Sequence, residues 1–252
     1  MVDGLTTTDL LVENHRTLRR QGPGSDEAIE RALLFLQLPD HPRIVDMGCG
    51  TGGGTLALAR LVPDAHITGL DMFPEFVDRL NATAVERGLS DRVRAVVGQV
   101  EAAPFEPASL DVIWSEGVLD GAGIASVVPL WHRLLRLDGC LVFSSPTWLT
   151  AERPADLVRF WDEAGGVVGS LEENVSAVLS AGFRFIAAFA LPERDWMEGY
   201  FIPREQVGDG LRRKYAGNPI AEEYFATNAL EVELYRKHKG CYGYVFYLAQ
   251  KC

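Results

Sequence analysis

The sequence predicts an α/β fold in which a mostly parallel sheet is covered by helices on both faces. From residue 43 onward, short apolar runs alternate with segments whose apolar residues recur every three or four positions, which is the signature of strand–helix–strand crossovers. A glycine-dense stretch, Gly48 to Gly54, follows the first run and opens the next helical segment. The composition is that of a globular chain: 47% of the 252 residues are hydrophobic and 23% are charged, which excludes disordered, collagen-like and coiled-coil architectures. A length of 252 residues fits one domain.

Before the first strand, Leu10, Leu11 and Leu18 suggest a short amphipathic helix, which Gln21-Gly22-Pro23-Gly24 interrupts. Ser25 then has the character of an N-cap, with Asp26 and Glu27 in the first turn and Ile29, Leu33 and Leu36 at helical spacing. Pro39 and Pro42 end that segment, so residues 1–40 read as a helical cap. The expected strands are Arg43–Met47, His66–Asp71, Val93–Gly98, Leu110–Trp114 and Cys140–Ser144. The helices between them are expected at Thr55–Val62, Pro74–Arg87 and Ile124–Leu137, with Gly88 and Gly139 as C-caps of two of them. A helix at Glu172–Ala181 precedes the run Phe183–Leu191, and Tyr242–Ala249 closes the chain. The stretch between those last two runs, residues 192–241, is an insertion of about fifty residues, rich in aromatics and containing a long amphipathic helix at Ala221–Lys239. Long insertions of this kind act as lids or substrate walls.

Charge narrows the partners. With 24 Lys and Arg against 35 Asp and Glu, the net charge is −11, which disfavours nucleic acid and anionic lipid and favours a small-molecule substrate. No apolar run has the length of a membrane helix, and the N-terminus lacks the basic start and apolar core of a secretory signal. Cys49, Cys140, Cys241 and Cys252 form no CxxC pair, and none of the five histidines is spaced for a metal with a neighbouring Cys or His. The expectation is a cytoplasmic protein with free thiols and no metal. The oligomeric state stays open, a homodimer being one alternative.

The turn after the first strand reads Asp46-Met47-Gly48-Cys49-Gly50-Thr51-Gly52-Gly53-Gly54. Glycines let the backbone turn sharply and let a ligand touch the main chain, and a helix start offers unpaired N–H donors. Gly48, Gly50 and Gly53 satisfy GxGxxG, a pattern shared with dinucleotide binders. Asp46 stands directly before the turn, and no Lys or Arg lies between it and Gly54. A carboxylate there repels a pyrophosphate and suits a ligand with an ammonium near a sulfonium, as in S-adenosylmethionine. Asp71 ends the second strand, 25 residues after Asp46, where a carboxylate accepts from both ribose hydroxyls of an adenosyl group. Met72 is placed to pack on adenine, and Gln99, Val100 and Glu101 follow the third strand, where the adenine edge is held. Cys49, a small residue of the same loop, is expected with Gly48 and Gly50 among the cofactor contacts.

These segments resemble class I S-adenosylmethionine-dependent methyltransferases. VDMGCGTGGG is similar to the first motif of that superfamily, GLD to the second, VVGQVEAAPF to the adenine-holding segment and SLDVIWSEGVL to the fourth strand. A narrower group of bacterial methyltransferases is suggested by RQGPGS, IWSEG, ERPADLVRFW, LPERDW, KYAGN and YGYVFY. The resemblance implies a Rossmann-like sheet of seven strands with the last one antiparallel, the N-terminal helices and the insertion forming a lid. It also implies that Asp46, the glycines, Asp71, Gln99 and Val100 hold the cofactor, S-adenosylhomocysteine being the product. Gln99 departs from the aspartate common at that position.

Open α/β sheets bind ligands outside the carboxyl ends of their strands, so Ser115 and Glu116, at the end of the fourth, are expected beside the sulfonium. Glu116 is the candidate base if the acceptor must lose a proton, and a support for cofactor or loop if it need not. Arg20 is expected to close over the site, paired with the methionyl carboxylate or with Glu116. Trp148, Trp196 and Tyr200 are the candidate substrate wall. Two other readings remain at this point: an NAD-dependent oxidoreductase, and a non-catalytic S-adenosylmethionine-binding protein.

Overall fold

The computed structural model describes residues 4–252, so Met1–Asp3 of the expected cap lie outside the described residues. Helix α1 (Thr7–His15) starts at a capping box in which Thr6 and Asp9 exchange hydrogen bonds. It ends before Leu18, which is buried on the turn that follows rather than on the helix. Helix α2 (Asp26–Leu33) is capped by Ser25 as expected, the hydroxyl accepting from the Ala28 amide. Leu36 lies past its end, packed against the core.

The central elements are β1 (Arg43–Met47), α3 (Gly53–Leu61), β2 (His66–Asp71), α4 (Pro74–Glu86), β3 (Val93–Val97), a single 3-10 turn at Val100–Ala102, β4 (Leu110–Glu116), α5 (Leu119–Ala122), α6 (Ile124–Leu134) and β5 (Leu135–Trp148), so strand and helix alternate except between β3 and β4. Next come α7 (Ala155–Glu163), the two-residue β6 (Gly169–Ser170), α8 (Leu171–Ser180) and β7 (Phe183–Ala190). The insertion holds α9 (Glu193–Trp196), a π-helical turn at Met197–Phe201, α10 (Ile202–Lys214) and α11 (Pro219–His238), and β8 (Tyr242–Lys251) closes the sheet.

The sheet order is β3-β2-β1-β4-β5-β8-β7, with β6 attached to β5. Strands β1 to β5 pair in parallel, and β8 is antiparallel to both β5 and β7. The chain winds outward from β1 to β3, then returns across β1 to β4, which opens a crevice between β1 and β4 at their carboxyl ends. Strand alternation distributes side chains between two cores. Ile44, Val112, Trp114 and Phe246 face the side covered by α2, α3 and α4, whereas Val45, Met47, Ile113 and Phe143 face α6 and α8.

One expected boundary is corrected. Helix α6 stops at Leu134, and Gly139 caps no helix: Leu135 already pairs with Leu110 of β4, and the chain then bulges through Asp138, whose φ is 62°. Gly88, by contrast, does end α4 with φ 65°.

The N-terminal helices and the insertion form one cover. Leu5 and Leu10 pack with Leu211, Ala221, Tyr224 and Phe225, and Ser25 donates to the buried Asp195 at 2.9 Å. That bond joins two of the motifs noted in the sequence, RQGPGS and LPERDW. Beneath the cover, Phe246 is fully buried and stacked on Phe189 at 5.3 Å, with Trp114 at 5.9 Å. Phe246→Ala is therefore expected to lower stability by about 3–5 kcal/mol, read as a reduced urea midpoint at unchanged slope.

Candidate active site

The loop after β1 is shaped by its glycines. Gly48, Gly50 and Gly52 have φ of 75°, 53° and 95°, values that residues with a Cβ rarely adopt. The Gly48 and Cys49 amides both donate to the Leu70 carbonyl, which ties the loop to β2. The Cys49 thiol is packed into the core beside Gly69, and burial raises its pKa well above the ordinary value, so its side chain is structural.

The N-terminal segment lies directly on this loop. Gln21 donates to the Thr51 hydroxyl at 2.9 Å and accepts from the Thr51 amide at 3.0 Å. A Cβ at Gly53 would meet the Arg19 carbonyl at 2.2 Å. Arg20, which is 9% exposed, donates to Glu116 Oε2 at 2.8 Å and to Asp26 at 3.3 Å. Glu116 is one of the two partners expected for it.

Asp46 and Glu116 project to the same face because Asp46 follows Ile44 by two residues and Glu116 follows Trp114 by two. Both reach Gly54: a Cβ there would lie 2.9 Å from Glu116 Oε1 and 3.5 Å from Asp46 Oδ2. Asp46 accepts from the Thr55 hydroxyl at 2.6 Å, and burial pushes its pKa up to about 7. Glu116 Oε1 accepts from the Trp114 indole at 2.9 Å, so both of its oxygens are engaged. Ser115 falls on the opposite face. Its side chain is fully buried and donates to the Met47 carbonyl at 2.9 Å, so it does not reach the crevice expected for it.

Asp71 accepts from the Gly50 amide at 2.8 Å through Oδ2 and from the Phe73 amide at 3.0 Å through Oδ1. Each carboxylate oxygen can accept a second hydrogen bond, so a diol can still be held. Burial raises the Asp71 pKa, partly offset by those amides. Met72 is exposed and lines the cavity, as do Gln99, Val100 and Glu101. The Val100 carbonyl is held by the Trp131 indole at 2.8 Å.

These groups line one cavity of about 940 Å³ that continues beneath the insertion. Tyr200, on the π-helical turn, forms part of its far wall, donating to His15 Nε2 at 3.2 Å and accepting from Arg204 at 3.1 Å. Burial pushes the His15 pKa down to about 4, which keeps the ring neutral. Arg204 also bonds Glu231 at 2.5 Å. Trp148 and Trp196, the other two expected wall residues, are absent from the lining. Trp148 packs on Tyr242 beneath Arg153, and Trp196 stacks on Tyr235 at 4.2 Å and edges Tyr244 at 5.0 Å. Large apolar rings this dense bury one another before they face solvent.

Asp120, Arg204, Glu231 and Tyr244 line the cavity and were not singled out from the sequence. A signal did exist for one of them: Tyr224, Asn228, Glu231 and Tyr235 recur at steps of four, three and four, which is one face of α11. Among the described residues no group of three or more His, Cys, Asp or Glu could hold a metal, and no helix is long and apolar enough to cross a membrane.

The site can hold S-adenosylmethionine on its own terms. The glycine turn admits close backbone approach, Asp71 retains acceptor capacity, and the carboxylates suit a cation. Comparison with known proteins agrees. Residues 44–139 match the family model described as a methyltransferase domain. A malonyl-[acyl-carrier protein] O-methyltransferase of Herminiimonas arsenicoxydans is 36% identical over 62% of this chain and 58% of its own length. A dimethylglycine N-methyltransferase of Parasynechococcus marenigrum is 33% identical over 48% of this chain and 44% of its own. The chain thus spans about half the length of these curated relatives. A methyltransferase of Geobacter sulfurreducens, solved with S-adenosyl-L-homocysteine, superposes with a TM-score of 0.82 at 20% identity, covering 97% of this chain and 98% of that one. Residues 44–139 thus match a methyltransferase domain, within a sheet order and antiparallel last strand that give the chain the fold of solved methyltransferases.

Proposed function

We propose that this protein transfers a methyl group from S-adenosylmethionine to a small-molecule acceptor. The observation that carries the reading is the charge of the cavity. Among the described residues Asp46, Asp71, Glu101, Glu116, Asp120 and Glu231 line it, against Arg20 and Arg204 only. Six carboxyl groups and two guanidiniums favour a sulfonium with an ammonium and oppose a diphosphate. Four polar or charged groups divide the cofactor half: Asp71 takes the ribose hydroxyls, Asp46 and the Gly48–Gly50 backbone face the methionyl end, and Gln99 with Val100 and Glu101 borders adenine beside Met72.

The cofactor supplies an activated methyl group when bound, and the protein aligns donor and acceptor and excludes water. Glu116, engaged by Arg20 and Trp114, serves in this reading to fix Arg20 over the loop rather than to remove a proton. The whole chain acts as one domain, with residues 1–40 and 192–241 covering the acceptor. Its negative charge supports a small molecule over nucleic acid as partner, and its four unpaired cysteines support a cytoplasmic setting.

Titration calorimetry with S-adenosylmethionine, S-adenosylhomocysteine and NAD tests the reading. The two adenosyl-sulfur compounds should bind and NAD should not; NAD binding alone would overturn it. Asp71→Asn is expected to weaken S-adenosylhomocysteine binding by about tenfold or more, since a charge-assisted pair of ribose hydrogen bonds is replaced. Asp46 adds a pH signature. A bound cation favours its ionised form, so binding near pH 6–7 should release a proton, given a free-state pKa of about 7. Affinity for S-adenosylmethionine should then rise with pH up to about that value and level off above it, and Asp46→Asn should abolish both the rise and the proton release. Calorimetry in buffers of different ionisation enthalpy measures the released proton.

A further inference from the structure

The acceptor half of the cavity has a composition of its own. Phe160, Trp161, Tyr200 and Tyr244 supply aromatic surface, and Asp120 and Glu231 supply carboxyl groups. The single guanidinium there, Arg204, is already bonded to Glu231 and to the Tyr200 hydroxyl. Asp120 has no cation within salt-bridge distance among the described residues; its side chain accepts from the Tyr244 hydroxyl at 3.3 Å and from the Gly121 amide at 3.2 Å. Tyr244 in turn stands beside the turn that ends β4, its hydroxyl 3.5 Å from where a Gly117 Cβ would be. Asp120, four residues past Glu116 on α5, and Tyr244 therefore sit where the two halves of the cavity meet.

We infer that the methyl acceptor is a primary or secondary amine, bound as its ammonium form against Asp120 among the aromatic rings, and that Asp120 takes the proton the nitrogen must lose. This deepens the methyl-transfer reading and rests on it. An uncompensated carboxylate beside aromatic faces attracts a cation, whereas a carboxylate or phosphate acceptor would face Asp120, Glu116 and Glu231 with both guanidiniums already paired. Burial, with Glu231 adding to it, raises the Asp120 pKa, which suits it to receive a proton. The ammonium gives one proton to Asp120; the freed nitrogen lone pair forms the N–C bond as the C–S bond breaks; the bonding pair stays on sulfur, leaving a neutral thioether and a methylated ammonium. The proton on Asp120 passes to solvent when the products leave.

The test uses the full chain saturated with S-adenosylhomocysteine and three probes that share one ring: benzylamine, benzyl alcohol and benzoate. Calorimetry should show benzylamine binding at least about tenfold more tightly than either of the others. Asp120→Asn should remove that preference while S-adenosylhomocysteine still binds, and Asp120→Glu should restore part of it. In labelled-methyl assays benzylamine should become N-methylbenzylamine, with the loss in Asp120→Asn appearing in kcat as well as in KM. Should Asp120→Asn fail to fold, Glu231→Gln carries the same expectation of a weakened amine preference. Benzoate or benzyl alcohol binding as tightly as the amine, an unchanged preference in Asp120→Asn, or no amine binding by a protein that binds S-adenosylhomocysteine overturns the inference. Failure to bind S-adenosylhomocysteine at all overturns instead the methyl-transfer reading beneath it.

Discussion

The arrangement depends on anions held away from water. An ionised carboxylate buried without a partner costs several kcal/mol or changes its protonation state, and this cavity carries six carboxyl groups. The fold relieves them by different routes. Glu116 and Glu231 each receive a buried guanidinium. Asp71 receives two backbone amides. Asp46 has only the Thr55 hydroxyl, and its relief is a pKa raised to about 7. In the proposed reading, a cationic ligand offsets the charge that the protein's own groups leave uncompensated. Sites that sacrifice stability for function follow this pattern.

Holding those charges in place falls to very short-range geometry. Strand alternation sends Asp46 and Glu116 to one face and Ser115 to the other. Gly53 and Gly54 then let α3 start within contact distance of the N-terminal segment and of both carboxylates. The segment itself is pinned at Gln21 to Thr51, at Arg20 to Glu116 and at Ser25 to Asp195. Three separate stretches of chain are thereby tied to this segment, and the cap lines the cavity rather than being an appendage to it.

What the sequence makes legible follows the range of the interactions. Strands β1 and β2 match their expected ends at Arg43–Met47 and His66–Asp71, because apolar runs bounded by turn residues are local signals. The Ser25 cap and the long α11 are local too. The end of α6 is not, since pairing of Leu135 with Leu110 decides it, and that contact lies 25 positions away in sequence. That Asp46, Asp71 and Gln99 line one cavity was readable because they sit at strand ends in a fixed order. The part of the cavity beneath the insertion was hidden, because Asp120, Arg204, Glu231 and Tyr244 lie on four different elements and meet only in three dimensions. Aromatic density pointed to the insertion, yet density cannot separate a ring that lines a cavity, such as Tyr200, from one that supports it, such as Trp196.

That distinction bears on how the acceptor is selected. Trp196 is 1% exposed and contacts Phe201, Tyr235, Tyr242 and Tyr244, so rings of the insertion and rings of β8 form one packed cluster. The wall that presents Tyr200 and Tyr244 is therefore braced from behind by close packing, which tolerates little deformation. A braced wall loses little conformational entropy when a ligand arrives, and affinity then reflects the match of shape and charge. In such a site selectivity rests on the fixed positions of a few polar groups. The groups fixed here are Tyr244 and Asp120 at the junction and the Arg204–Glu231 pair behind them, and all but Arg204 present hydroxyl or carboxyl oxygen.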